Sequence, residues 1–489
     1  LRRFFSQAAR GNQLSQSNKE LLLLSLDWTR KKDPPMSLGQ ASLVAKLRGE
    51  NIPVRAKSWS VNHDDFKVAD ALAYVMAHAG QGTDLAMGAY VWHEPHTQAL
   101  LAGLKQENFP GRIIMGGPQV SYTRSGLAGY YPQVDVFIRG YGEDALTQLW
   151  HSPLEKPVIA GVHYAGEPDL GLSARVDLDQ LPSPYLTGVI QPQPFIRWET
   201  QRGCPFRCAF CQHRESDVTM KRRQHDYSRI MQEAAWILDH PIISDIAVLD
   251  PTFNSGPHYM DILEQFITRG YRGKLALQCR IEMVNDAFLD AVSALNQTGE
   301  VVLEFGLQTI HPAEEKIIQR PNNKRKVQRI LAETYQRGIQ TEVSLIFGLP
   351  GQTVHSFHES IQFCKDLHVP TIYAYPLMLL RGTPLYAAKD RLGLVESDTL
   401  DLEIDRIQSN IPHVVASPSF TYEDWETMAA MAEGLDAYNQ KHKPAAVEKM
   451  KATLQETAFF AKRSSQAPAS DVSVGIEKPQ RSGPVPSGG

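Results

Sequence analysis

The chain has 489 residues, 42% hydrophobic and 21% charged, an ordinary globular composition with room for two to four domains. Its net charge of −4 offers no basic excess for nucleic acid or an anionic membrane, and the apolar run at residues 21–24 is too short to span a bilayer. Five cysteines, three of them within eight residues, argue against a disulfide framework and for a reducing, cytoplasmic setting.

Residues 1–18 read as a polar, disordered lead without the apolar stretch or cleavage site of a secretory signal. Between residues 19 and 150, strand-like runs at 21–26, 54–59, 85–91, 112–115 and 134–138 alternate with helical patterns at 38–47, 66–79 and 96–106. That alternation predicts an α/β, doubly wound, Rossmann-like domain, with ligands at the carboxyl ends of the strands. The loops there carry Trp28 and Thr29; Trp92 and His93; Gly116, Gly117 and Ser121; and the run Gly140, Tyr141, Gly142, Glu143. No GxGxxG follows the first strand, which weakens a nicotinamide reading.

Residues 151–190 hold Pro153, Pro157, Pro168, Pro182 and Pro184 and read as a linker. From 191 to 385, strands at 195–198, 245–249, 274–278, 301–305, 341–347 and 371–376 are separated by helices at 227–238, 259–269, 286–295, 324–337 and 354–367. Six such repeats predict a partial (β/α)6 TIM-like barrel with its working loops at the strand C-termini. Residues 386–462 read as a C-terminal helical region, and 463–489, rich in Ser, Pro and Gly, as a disordered tail.

The chemistry is concentrated at Cys204, Cys208 and Cys211, spaced CxxxCxxC with Phe210 before the last cysteine. Iron–sulfur clusters ordinarily take four cysteines. Three thiolates hold three irons of a [4Fe–4S] cluster and leave the fourth open for another ligand. The competing reading is zinc with His213 as a fourth ligand, but the loop would be crowded and no second CxxC exists. Cys279, in an apolar strand-like run, reads as a small buried residue.

The stretch Glu199-Thr-Gln-Arg-Gly-Cys-Pro-Phe-Arg-Cys-Ala-Phe-Cys211 resembles the cluster loop of the radical S-adenosylmethionine (SAM) superfamily. The resemblance implies that SAM chelates the open iron and is cleaved to a 5′-deoxyadenosyl radical. It extends along the barrel: Asp250, Thr252 and Asn254 stand where relatives meet the SAM amino group, without the glycine–glycine–glutamate form of that loop. Arg280 stands where a guanidinium would pair with the SAM carboxylate, Gln308 where the ribose lies, and Ser344 near the adenine. Leu379 opens the last barrel segment. A doubly wound domain ahead of such a barrel resembles the cobalamin-binding subclass. That implies corrin contacts from the glycine-bearing loops named above, although the DxHxxG motif that gives cobalt a histidine is absent.

With both cofactors, the resemblance implies methylation of an unactivated carbon of a small-molecule or peptide substrate, fed by an external one-electron reductant of flavodoxin or ferredoxin type. Catalytic side chains beyond the cofactor ligands are not assigned. The alternatives are a rearrangement, cyclisation or oxidation with the same cofactors, a non-catalytic corrin- or cluster-binding sensor, and a first domain that binds no corrin.

Overall fold

A computed structural model describes residues 19–80, 82–213, 223–397, 411–444 and 447–448. The expected disordered ends, 1–18 and 463–489, lie outside the described residues.

The first sheet contains β1 (Leu21–Asp27), β2 (Val54–Ser60), β3 (Asp84–Gly88), β4 (Ile113–Gly116), β5 (Val136–Ile138) and β6 (Val162–Tyr164). Its order is β2-β1-β3-β4-β5-β6, and only β6 runs antiparallel. The reversal of strand order between β1 and β3 makes this a doubly wound sheet of the flavodoxin-like kind. The leucine run of β1 is explained by two-sided burial. Leu22, Leu24 and Leu26 face a core with Val75, Leu100 and Leu104, while Leu21 and Leu23 face another with Val44, Leu146 and Leu149. Strand β6 falls inside the stretch read as a linker. Its Val-His-Tyr sequence is too short to carry a period, and pairing with β5 makes it a strand.

The second sheet is formed by β7 (Phe195–Trp198), β10 (Asp245–Val248), β11 (Lys274–Cys279), β12 (Glu300–Gln308), β13 (Gln340–Phe347) and β14 (Thr371–Pro376), all parallel and in sequence order. Two residues each of β8 (Gln201–Arg202) and β9 (Arg223–Gln224) pair antiparallel and bracket the cysteine segment. Along β12, buried Phe305 and Leu307 alternate with half-buried Glu304, Gly306 and Gln308, the pattern of a strand with helices behind it and a concave face in front.

The region after residue 385 is not helical alone. Strands β15 (Val395–Ser397) and β16 (His413–Ala416) pair antiparallel ahead of the helix Tyr422–Glu433. Val414, Trp425 and Met428 join the barrel's own core, and Trp425 lies 5.5 Å from Phe347 between ring centres. The Asn439 side chain accepts from the Ile372 N–H at 2.8 Å and donates to its carbonyl at 2.9 Å, which satisfies part of the β14 edge.

The doubly wound domain reaches both margins of the incomplete barrel. Arg197 of β7 pairs with Asp33 at 2.7 Å, and Arg381, beyond β14, pairs with Glu94 at 3.3 Å. Among the described residues, no helix is long and apolar enough to cross a membrane.

Candidate cluster and cofactor site

The cysteine loop is pinned from beneath by Asp250, just past β10. Its fully buried carboxylate accepts from the Thr200 N–H at 2.8 Å, the Gln201 N–H at 3.2 Å and the Thr200 hydroxyl. Burial outweighs these hydrogen bonds and pushes the carboxyl up to about 7. The Gln201 side chain donates to the Thr252 carbonyl at 2.7 Å, and the Thr252 hydroxyl lies 3.6 Å from Cys204 Sγ. Asp250 is thus engaged with the loop backbone, and Thr252 stands at the first cysteine.

Cys208 is buried, and Cys204 and Cys211 are half-buried. Burial, with smaller contributions from Cys208 and Cys204, pushes the Cys211 thiol up to about 11, so the three sulfurs share one neighbourhood. Among the described residues, no three His, Cys, Asp or Glu side chains converge as a single-ion site requires. A zinc site gathers its thiolates at about 2.3 Å from one metal. In a cluster each thiolate takes its own iron and needs no common point. Three thiolates from one loop are a donor set that can hold three irons of a cluster. Phe210 packs against the barrel core beside them.

On the concave side, the Asn254 amide clamps the Arg280 backbone, accepting from its N–H and donating to its carbonyl, both at 2.9 Å. The Arg280 guanidinium donates to Glu282 at 2.7 Å and to the Pro321 carbonyl at 2.9 Å, and it lies over the Phe206 ring. Gln308 sits at a register shift between β12 and β13 with φ of 70°, a left-handed conformation that costs a non-glycine residue roughly 1–3 kcal/mol and clusters at ligand sites. Ser344 is half-buried between Gly306 and Tyr373 on the neighbouring strands, and Leu379 is buried.

Arg320 escaped the sequence reading. It is buried, with Nη1 3.6 Å from Cys208 Sγ and Nη2 donating to the Gly306 carbonyl; its buried Nε has no partner among the described residues. No motif marks it, because its proximity to Cys208 arises from the turn that follows the helix Pro312–Ile317.

At the carboxyl ends of β3, β4 and β5 lies a cleft of about 240 Å³. Of the eleven residues expected at a corrin, Gly117, Ser121, Gly140 and Tyr141 line it. Gly117 has φ of 87°, and a Cβ there would lie 2.8 Å from the Ala89 backbone, so only glycine lets the two turns approach. Gly116 and Gly142 flank these positions. Glu143 is occupied elsewhere, its carboxylate accepting from Arg202 at 2.7 Å and from Ser42 at 3.2 Å.

The remaining four are also outside the cleft lining. Thr29 donates its hydroxyl to Ser60 at 2.7 Å and its N–H to Asn62 at 2.9 Å, and the loop that begins with Trp28 continues towards the barrel. Trp92 stacks on Tyr90 at 4.4 Å. His93 is 1% exposed, with Nδ1 2.6 Å from the Thr97 hydroxyl; burial lowers its pKa to about 4, so the ring is neutral. Tyr90, Tyr122, Ser173, Arg175 and Arg223 line the cleft and were not expected. Tyr90 follows the strand two residues past Gly88, earlier than the expected end at 91. Arg175 comes from a segment whose sequence carries no binding signal, and Arg223 from the short basic run at 221–223, which reads in sequence as a solvated face.

Beside the doubly wound domain, the parallel partial barrel with its three-cysteine loop carries a family match: residues 198–364 match the model of the Radical SAM superfamily. The chain is 28% identical over 332 residues to the cobalamin-dependent radical SAM methyltransferase TokK of Streptomyces tokunonensis, covering 62% of this chain and 47% of TokK. It is also 28% identical over 309 residues to 2-(S-pantetheinyl)-carbapenam-3-carboxylate methyltransferase of Streptantibioticus cattleyicolor, covering 57% and 44%. The chain thus spans about half the length of these curated relatives. In fold it is similar to the radical SAM methyltransferase TsrM of Kitasatospora setae, solved with cobalamin and a [4Fe-4S] cluster, at a TM-score of 0.63 and 16% identity over 85% of this chain and 89% of TsrM.

Proposed function

We propose that the protein is a cobalamin-dependent radical SAM enzyme that methylates an unactivated carbon of a small-molecule or peptide substrate. The observation that carries this reading is the joint between cleft and cluster loop. Tyr122 lines the cleft and donates its hydroxyl to the carbonyl of Gln212, the residue after Cys211. Two cofactor sites joined in this way can act on one substrate, since close placement of reacting groups is much of what a protein supplies. The methyltransferase names of the two curated relatives point the same way.

When bound, the cluster and SAM supply hydrogen abstraction, and cobalamin supplies a transferable methyl group. Cys204, Cys208 and Cys211 hold the cluster. Asp250 and the β8–β9 ladder fix the loop that carries them. Arg320, with a donor to spare beside Cys208, is the better partner for the SAM carboxylate, because Arg280 already serves Glu282 and Pro321. Gln308 and Ser344 would meet the ribose and adenine ends, a reading supported by their half-buried places on neighbouring strands. Gly117 and Gly140 admit the corrin, and a flavodoxin- or ferredoxin-type protein delivers the electron.

Anaerobic reconstitution with iron, sulfide and cob(I)alamin, followed by SAM labelled in its methyl group, tests the reading without a known substrate. Labelled methylcobalamin is expected, together with 5′-deoxyadenosine once reductant is added. A reconstituted protein that retains no corrin would refute it. Deoxyadenosine formed with no label on the cobalamin would favour the non-methylating alternative.

A further inference from the structure

We propose that Arg320 raises the reduction potential of the cluster by placing a guanidinium beside Cys208. This rests on the cluster reading above and goes beyond the SAM contact given to the same side chain. Each loop sulfur faces a polar group. Cys204 Sγ lies 3.6 Å from the Thr252 hydroxyl, Cys208 Sγ 3.6 Å from Arg320 Nη1, and Cys211 Sγ 3.3 Å from the His213 backbone nitrogen. Of the three, only the guanidinium carries a charge. Arg320 is buried, and no carboxylate pairs with it among the described residues. The two acids of the preceding helix are held elsewhere, Glu314 by Thr309 and Ser356, and Glu315 by Asn322. A buried cation is costly without an anion beside it. The anion that this loop can hold is the cluster, which on three thiolates is negative in both oxidation states and gains one more negative charge on reduction.

The turn that carries Arg320 is fastened to the cysteine loop. The Ile318 carbonyl accepts from the N–H of Ala209, the residue after Cys208, at 2.7 Å, and the Arg320 N–H donates to the Glu315 carbonyl at 2.9 Å. The Asn322 amide donates to the Thr309 carbonyl at 2.9 Å and to the Leu307 carbonyl at 3.2 Å. Arg320 Nη2 donates to the Gly306 carbonyl, so the guanidinium is fixed at both ends. Hydrogen bonds to the sulfurs and net charge are two of the quantities that set a cluster's potential. Both act in one direction here, because each stabilises the more anionic, reduced form. Arg320 thereby eases transfer of one electron to the cluster from a donor of flavodoxin or ferredoxin type. Arg280 supplies the contrast: it lies over Phe206 in the same loop, but Glu282 meets its charge at 2.7 Å.

The test is a redox titration of the reconstituted full chain without SAM, followed by the electron paramagnetic resonance signal of the reduced cluster, with iron and sulfide content reporting assembly. In Arg320→Gln the midpoint should fall by about 59 mV, a tenfold change in a one-electron equilibrium. Arg320→Lys keeps the charge without the fork and should lose less than half of that shift. Arg280→Gln should titrate as wild type. A midpoint in Arg320→Gln equal to or above that of wild type overturns the proposal and leaves the cluster reading standing, as does an equal fall in Arg280→Gln. Assembly in Arg320→Lys with none in Arg320→Gln supports it, since the cluster then needs the cation; failure of both assigns Arg320 a packing role and overturns it. A wild type that takes up no cluster overturns the cluster reading, and the proposal with it.

Discussion

Arg202 and Glu143 meet at 2.7 Å across the boundary between the two sheets, with 12% and 6% of their side chains exposed. Arg202 stands two residues before Cys204, and Glu143 ends the glycine loop that borders the cleft. Arg202 also holds Glu199 at 2.9 Å. Burial acts to raise the Glu199 carboxyl, but Arg202 and His225 more than offset it and hold the group at about 2. One guanidinium thus neutralises the buried Glu143 and the half-buried Glu199 and fixes the cysteine loop against the doubly wound domain.

Replacing Arg202 with Met should be strongly destabilising. It leaves Glu143 buried without its cation and deprives the half-buried Glu199 of one of its two partners, and removing one partner of a buried pair costs about 3–5 kcal/mol. Lysine keeps the charge but lacks the fork that reaches both acids, so it should fall between. The urea midpoint measures this; a Met variant as stable as wild type would show that the pair contributes nothing.

Asp250 should give stability a pH slope. Its pKa in the fold is about 7 against an ordinary value of 3.8, so the folded state binds the proton more tightly. That contribution is full below about pH 4 and is lost as pH rises to about 7, amounting to roughly 4 kcal/mol at about 1.4 kcal/mol per unit. Asp250→Asn removes the titration, and its unfolding midpoint should vary less than that of wild type between about pH 5 and pH 8. Parallel curves for the two proteins would exclude Asp250 as the source.

Arg320 and Arg280 should separate by phenotype. Arg320→Gln removes the guanidinium beside Cys208 and is expected to weaken SAM binding about ten- to a hundredfold, as loss of a charged hydrogen bond does, with a small change in stability. Arg280→Gln breaks the contacts to Glu282 and Pro321 and should chiefly lower the thermal midpoint. Isothermal titration with SAM and thermal unfolding of both variants decide the matter; the reversed pattern would return the carboxylate role to Arg280.

Single alanine substitutions at Cys204, Cys208 or Cys211 should abolish the cluster absorbance of reconstituted protein and most of its bound iron. Cys279→Ala and Cys364→Ala should retain both, since burial holds those thiols in the protonated form. Full iron content in any of the three loop variants would rule that cysteine out as a ligand.

The sequence by itself determined the elements whose physics is local or periodic. The two-sided leucine run of β1, the alternation along β12 and the CxxxCxxC spacing are legible because burial on both faces, a two-residue period and thiolate chemistry each leave a mark at short range. Positions that need glycine, such as Gly117 and Gly140, could also be read, since no other residue fits a close backbone approach there. The use of side chains was decided only by tertiary structure. Asp250, Asn254 and Glu143 look like ligands in sequence, yet they hold the Thr200–Gln201 backbone, the Arg280 backbone and Arg202. Arg320, Arg175 and Arg223 look like ordinary surface cations, yet the fold brings one to Cys208 and two to the cleft. The physical reason is that a polar side chain is committed by whichever partner folding brings within about 3 Å of it, and these partners lie dozens of residues away along the chain.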